Sequence, residues 1–320
     1  MLRYILYRLL VFLPTLLGVS VIVFLAIRMV PGDTIIAMLG TEAGLLTDVQ
    51  RDALRAYFGL DRPLLDQYFF WIGEVLNGNF GISVRHGRPV IEIILERFPL
   101  TLELAILSLI IALSFGIPVG IMSSVWREKK IDIIGRLLAL FGQAVPNFLL
   151  GLLILYCLSV FFEIMPNSGN YSDLWINPLE NFRQMIFPAI TLGFSFAASV
   201  MRTTRSSMLE VFGEDYIRTA RSKGVSEFNI IFRHALRNAL IPVVTLSGIE
   251  LGYLLGGTLI VEEVYALPGL GRLILNAITQ RDYALVEGVT LFIAFNFLIL
   301  GLLVDFIYTV LNRRINLNKV

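Results

Sequence analysis

Leu104-Ala105-Ile106-Leu107-Ser108-Leu109-Ile110-Ile111-Ala112-Leu113, continuing through Ser114 to Trp126, holds no Asp, Glu, Lys or Arg. A helix rising 1.5 Å per residue crosses the roughly 30 Å hydrocarbon core in about 20 such residues. Working outward, comparable uncharged runs cover 9–27, 137–162, 184–201, 238–249 continuing past Glu250 to 261, and 288–304 continuing past Asp305 to about 310. Composition agrees: 56% of the 320 residues are hydrophobic, 16% are charged and mean hydropathy is +0.76, against roughly 25% charged in a soluble domain. These runs exclude a water-soluble globule and predict an all-α integral membrane protein of six transmembrane helices.

Charge placement orients the chain, because lysine and arginine in short flanks resist translocation. With the N-terminus inside, the cytoplasmic flanks hold 16 of the 26 basic residues, including all four lysines. The short outer loops 163–183 and 262–287 hold only Arg183, Arg272 and Arg281. Both termini are expected in the cytoplasm. No small-residue cleavage box follows the first run, so residues 1–30 read as the N-terminus and a retained first helix. Residues 31–97 are too long for a bare connection and read as a small helical outer subdomain, opened by an N-cap at Thr47 with Leu54, Tyr57 and Phe58 on one side of its helix. Residues 98–320 read as the transmembrane domain, five helices with an inner loop at 202–240.

That inner loop carries the strongest local signal. From Glu214, Asp215, Tyr216 and Ile217 through Arg218, Thr219, Ala220, Arg221, Ser222 and Lys223 to Gly224, acids lead, bases follow and a glycine closes, the order that a helix dipole and a glycine stop favour. A short cytoplasmic helix is expected, then a second from Ser226 with Val225, Phe228, Phe232, Ala235, Leu236 and Ala239 on one face. Two roles fit: a basic helix pair lying on the headgroups, or a docking element for a cytoplasmic partner.

Ionisable groups at bilayer depth usually face a cavity or a partner. Glu103 and Asp305 sit near the ends of their runs and fit structural roles. Glu250 lies mid-run, opposite a seam of Gly248, Gly252 and Gly256 that permits close helix approach, and is either pathway-facing or a buried, hydrogen-bonded acid. Gln143, Pro146 and Asn147 interrupt the third run, where a kink with adjacent polar groups is expected; Gln143 and Asn147 are candidate pathway residues, with helix packing the plainer role. One cysteine, two isolated histidines and no phosphate loop, His-Glu-x2-His or Gly-x-Ser-x-Gly sequence leave no metal site and no catalytic constellation in the chain. An enzyme is not expected, and energy coupling would need another subunit.

Several motifs together resemble one family. Arg8-Leu9-Leu10, Pro14-Thr15-Leu16-Leu17-Gly18-Val19-Ser20 and Pro31-Gly32-Asp33 are similar to its first helix and exit. Pro146-Asn147-Phe148-Leu149-Leu150-Gly151 is similar to its third helix. Pro268, Gly269, Leu270, Gly271 and Arg272, with Arg281, Asp282 and Tyr283, resemble its last outer loop. Asp215 to Gly224, followed by Phe232-Arg233-His234-Ala235-Leu236-Arg237-Asn238 to Pro242, resembles the peptide-permease form of the EAA loop. The family is the permease subunits of dipeptide, oligopeptide and nickel ABC importers.

The resemblance implies the type I ABC importer permease fold and a place as half of a translocation pathway for di- or oligopeptides or a related small solute. It implies as partners a second homologous permease subunit, two ATPase subunits carrying ATP and Mg, an extracytoplasmic substrate-binding protein or lipoprotein, and membrane lipid. It implies neither a cofactor on this chain nor nucleic acid. Residues 214–224 would be the ATPase-coupling helix, the 268–272 and 281–283 loop would face the binding protein, and the location would be the plasma (inner) membrane of a bacterium or archaeon. The alternative is a secondary transporter driven by an ion gradient, with Glu250 and Asp305 as coupling carboxylates; it leaves the EAA-like loop unexplained.

Overall fold

In a computed structural model of the protein, residues 2–29, 47–57, 61–166 and 171–311 are described. In chain order the helices are α1 (Leu2–Arg28), α2 (Asp48–Tyr57), α3 (Leu64–Leu76), α4 (Val90–Val125), α5 (Lys130–Ala144), α6 (Asn147–Phe162), α7 (Pro178–Phe212) and α8 (Asp215–Ser222). They continue with α9 (Glu227–Asn229), a π-helical segment Ile230–Ala235, α10 (Leu236–Gly257), α11 (Leu259–Val264), α12 (Leu270–Thr279) and α13 (Tyr283–Leu311). Among the described residues, five stretches are long and apolar enough to cross a bilayer: Leu10–Arg28, Val90–Val125, Pro178–Phe212, Glu227–Gly256 and Tyr283–Val304.

The run at 137–162 forms a bent pair of helices, which makes a sixth span only if the pair counts as one. Instead of the expected kink, α5 and α6 meet at 100°. Pro146 supplies the reason: its ring pushes the residue before it out of the helical region, and Val145 sits extended at φ −81°, ψ 121°. Asn147 then restarts the helix.

Two compact units divide the described residues: those within 1–5, 100–267 and 299–320 form one, those within 6–99 and 268–298 the other. In the first, α7 packs against α5, α6 and α10. Glycine makes the close approach possible, since a Cβ on Gly116 would lie 2.7 Å from the Val200 Cβ, and one on Gly193 2.9 Å from the Ile111 Cγ2. In the second unit, Val90, Ile94, Leu270, Leu273, Leu285 and Val289 form a buried core. The Phe24 ring meets Tyr68 at 5.4 Å and Trp71 at 5.6 Å, tying α1 to α3. Arg28 pairs with Glu287 and stacks on Phe24.

One boundary differs from the sequence reading. The expected division at 97/98 falls inside α4, which runs unbroken for 36 residues, and the outer segment shares its core with residues 268–298 instead of standing alone. The helix includes Glu92, Glu96 and Arg97 upstream of the uncharged run. Thr47 does open α2: the Gln50 N–H donates to its Oγ1 at 3.3 Å while the Thr47 N–H donates to Gln50 Oε1 at 2.9 Å, a reciprocal capping box. The side chains of Leu54 and Tyr57, residue Phe58, the Pro31-Gly32-Asp33 motif and the Asp305 side chain lie outside the described residues.

Candidate coupling site

The eight residues of α8 sit on one buried side chain. Ile217 enters a core made by Ile121, Met208, Ile230, Ala235 and Ala239, so one fully buried residue in a polar helix fixes its roll. The C-terminal end is fixed by the backbone. Gly224 takes φ +76°, its N–H donates to the Arg221 carbonyl at 2.9 Å, and the Val225 N–H donates to the Ala220 carbonyl at 3.2 Å. These two bonds form a Schellman motif, with the Ala220 and Val225 side chains packed on the same core.

Side chains lock the corner between α8 and α9. Arg221 donates to Glu227 through Nε at 2.8 Å and Nη2 at 3.3 Å, a paired geometry that a lysine does not reproduce. The hydrogen bond to Glu227 raises the Arg221 pKa further. The Asn238 amide donates to the Tyr216 hydroxyl at 2.7 Å. What remains outward is polar: Glu214, Asp215, Arg218, Thr219, Lys223 and Gly224 are exposed, Tyr216 is partly so, and Ala220 is half-buried. The arrangement is a rigid, charged knob with a defined orientation.

One part of the expected pattern fails. Phe228 and Phe232 do not share the buried face with Ala235 and Ala239; they are 69% and 47% exposed and stack on each other at 4.7 Å. The π-helical segment causes this by inserting extra backbone between α9 and α10, so that regular spacing no longer predicts a common face.

The candidate pathway residues are dispersed in the first unit. Gln143 is exposed, accepts from Arg202 Nη1 at 2.8 Å and donates to Ser199 at 3.4 Å. Asn147 is half-buried at the start of α6, and Glu250 is half-buried on α10 beside exposed Ile249 and Tyr253. A side chain on Gly248 would run into Val304, and Gly252 is buried, as a packed seam requires. Gly256 is exposed and does not belong to that seam.

The outer-loop set is mostly interior. Gly269, Leu270, Gly271, Asp282 and Tyr283 are buried and cannot themselves form a surface; Pro268 and Arg272 are half-buried, and Arg281 is exposed. The reason is local. Asp282 caps α13 by accepting from the Leu285 N–H at 3.3 Å, and it accepts from Ser83 Oγ at 2.5 Å and the Arg85 N–H at 3.2 Å. The conspicuous motif is a structural joint.

Sequence reading also missed polar joints, each of which draws on a partner far along the chain. Wholly buried Asp132 is held by Arg205. Buried Glu262 accepts from Thr101 at 2.9 Å and Thr258 at 2.7 Å. Glu103 accepts from Tyr171 and Asn181, both at 3.2 Å, and burial followed by the Glu103 charge pushes the Tyr171 phenol above its usual range. The available signal was an acid at a span end needing a partner; which partner it takes is not readable.

Comparison with known proteins decides the class. Residues 116–317 match the model for the binding-protein-dependent transport system inner membrane component, and residues 1–105 match the model for its N-terminal region. The chain belongs to this family of membrane permeases. This permease is 43% identical over 316 residues to the glutathione transport system permease protein GsiC of Salmonella typhimurium, covering 98% of this chain and 99% of that one. It is 40% identical over 341 residues to the dipeptide transport system permease protein DppB of Escherichia coli K12, covering the whole of both. The crystal structure of an amino acid ABC transporter with histidines superposes with a TM-score of 0.50 at 18% identity, over 70% of the permease and 95% of that chain. That likeness supports the type I permease fold. The permease is a multi-pass membrane protein with a translocation role, not a catalytic one.

Proposed function

We propose that the permease forms half of the translocation pathway of an ATP-driven importer for di- or oligopeptides or a peptide-like solute such as glutathione. The other half is a second homologous permease, with two ATPase subunits binding ATP and Mg on the cytoplasmic side and a substrate-binding protein or lipoprotein outside. The carrying observation is α8, a short polar helix seated by Ile217 and ended by Gly224, suited to enter a cleft and be pushed as a unit. ATP-driven closure of the ATPases would shift α8 and, through the core beneath it, α7 and α10, biasing a two-state opening. The α10 face carrying Glu250 and Tyr253, with Gln143 and Asn147, would line the pathway. The membrane is the plasma (inner) membrane of a bacterium or archaeon, with both termini in the cytoplasm.

Purification in mild detergent tests the assembly. A second permease and two ATPase subunits should co-purify with this chain, and their absence from an active preparation would remove the ATP-driven reading in favour of an ion-gradient carrier.

A further inference from the structure

Between α4, α5 and α7, within the first unit, lies a cavity of about 380 Å³. Its walls are apolar: Phe115 on α4, Leu138 on α5, and Ile190, Phe194, Ala198 and Met201 along α7. Phe115 and Leu138 are exposed at its rim. We propose that this groove seats one acyl chain of an anionic phospholipid, in the leaflet on the α8 side of the membrane.

Chemistry limits what can fill it. A dry, apolar space gives water nothing to bond, and in a bilayer hydrocarbon is the material at hand. Size agrees with a chain: at roughly the 30 Å³ of a water-sized group, about a dozen methylenes fit. Ile190 and Met201 stand eleven residues apart on α7, about 16 Å, close to half of the roughly 30 Å hydrocarbon core. The groove is therefore one leaflet deep.

Hydrocarbon alone gains little by leaving other lipid for an equally apolar wall, so preference must come from the headgroup. At the Met201 end the sequence places Arg127, Lys129, Lys130, Arg136, Arg202 and Arg205 against only Glu128 and Asp132. Asp132 is already engaged by Arg205, leaving Arg136 a longer 3.6 Å approach to the same carboxylate. Arg202 is turned to the Gln143 amide and takes no part in this mouth. Arg136 follows the groove-lining Gly135 and lies beside the Asp132–Arg205 joint. A positively charged mouth above a leaflet-deep apolar slot suits a phosphate head and its chain.

Native mass spectrometry of the assembled importer, equilibrated in nanodiscs of equal phosphatidylglycerol and phosphatidylcholine, tests this without any ATPase or transport readout. Phosphatidylglycerol should be retained about fivefold over phosphatidylcholine, the ratio that one basic contact gives at a membrane surface. Arg136→Gln should abolish the preference. Leu138→Trp, which fills the groove, should lower retention, while Leu137→Trp on the neighbouring exposed position should not; if Leu138→Trp fails to assemble, Ile190→Trp on the opposite wall reads the same quantity. Equal retention of both lipids, or retention unchanged by groove filling, overturns the proposal. So does efficient cross-linking of Leu138→Cys to the second permease, which would mean that protein covers the groove.

Discussion

Arg205 grips Asp132 through two hydrogen bonds, Nε to Oδ1 at 2.6 Å and Nη2 to Oδ2 at 2.9 Å, and the carboxylate between them is wholly buried. The Glu128 N–H adds a third bond at 2.9 Å from a turn whose φ is +64°. The joint fastens the start of α5 to the part of α7 that leads into α8.

Removing one member of a buried pair strands the other, at a cost on the order of 3 kcal/mol. Asp132→Ala should therefore lower the melting temperature of the purified complex more than the double change Asp132→Leu with Arg205→Met, which leaves no stranded charge. Melting followed by size-exclusion chromatography reads the difference, and a double variant less stable than Asp132→Ala would contradict this account of the joint.

Asp282 offers a second test, because it caps α13 and holds Ser83 at once. Asp282→Ala should cost about 1 to 2 kcal/mol from the lost cap and free the turn bearing exposed Arg85 and Arg88. Limited trypsin digestion should then cut at these arginines faster than in the parent, with Arg127 cleavage unchanged.

The sequence displays spans, the capping box at Thr47 and the ends of α8, since these depend on local charge and run length. It does not display the right-angle break between α5 and α6 or the π-helical segment, where one proline and one extra unit of backbone redirect whole helices. Outer-loop residues such as Asp282 and Tyr283 were conspicuous in sequence, yet are buried because motif strength says nothing of which way a side chain points. Gly248 was legible as a packing residue, whereas Gly256 shares its spacing but not its contact.

The glycines give a paired prediction. Gly248→Leu should disturb folding or assembly, because its side chain would collide with Val304, whereas Gly301→Leu on α13 should be tolerated, having nothing within 4 Å of an added Cβ. Glu250→Gln should leave assembly intact and alter transport. Elution profiles and uptake in proteoliposomes separate the three variants.

Orientation is checked by thiol labelling after exposed Cys157 is replaced. An impermeant reagent should modify Asp61→Cys or Asp173→Cys from outside, and Ser226→Cys only after permeabilisation. Labelling of Ser226→Cys in intact cells would invert the topology.

The claim that α8 transmits motion is tested most directly at Gly224. Nothing lies within 4 Å of a Cβ built there, so the only penalty is the left-handed backbone at φ +76°, about 1 to 2 kcal/mol for an ordinary residue and harshest for a β-branched one. Substrate-stimulated ATP hydrolysis of the reconstituted complex should fall markedly in Gly224→Val and much less in Gly224→Asn, whose side chain tolerates that conformation, with membrane insertion and assembly preserved in both. Normal coupling in an intact Gly224→Val complex would contradict the account and leave α8 as a surface helix only.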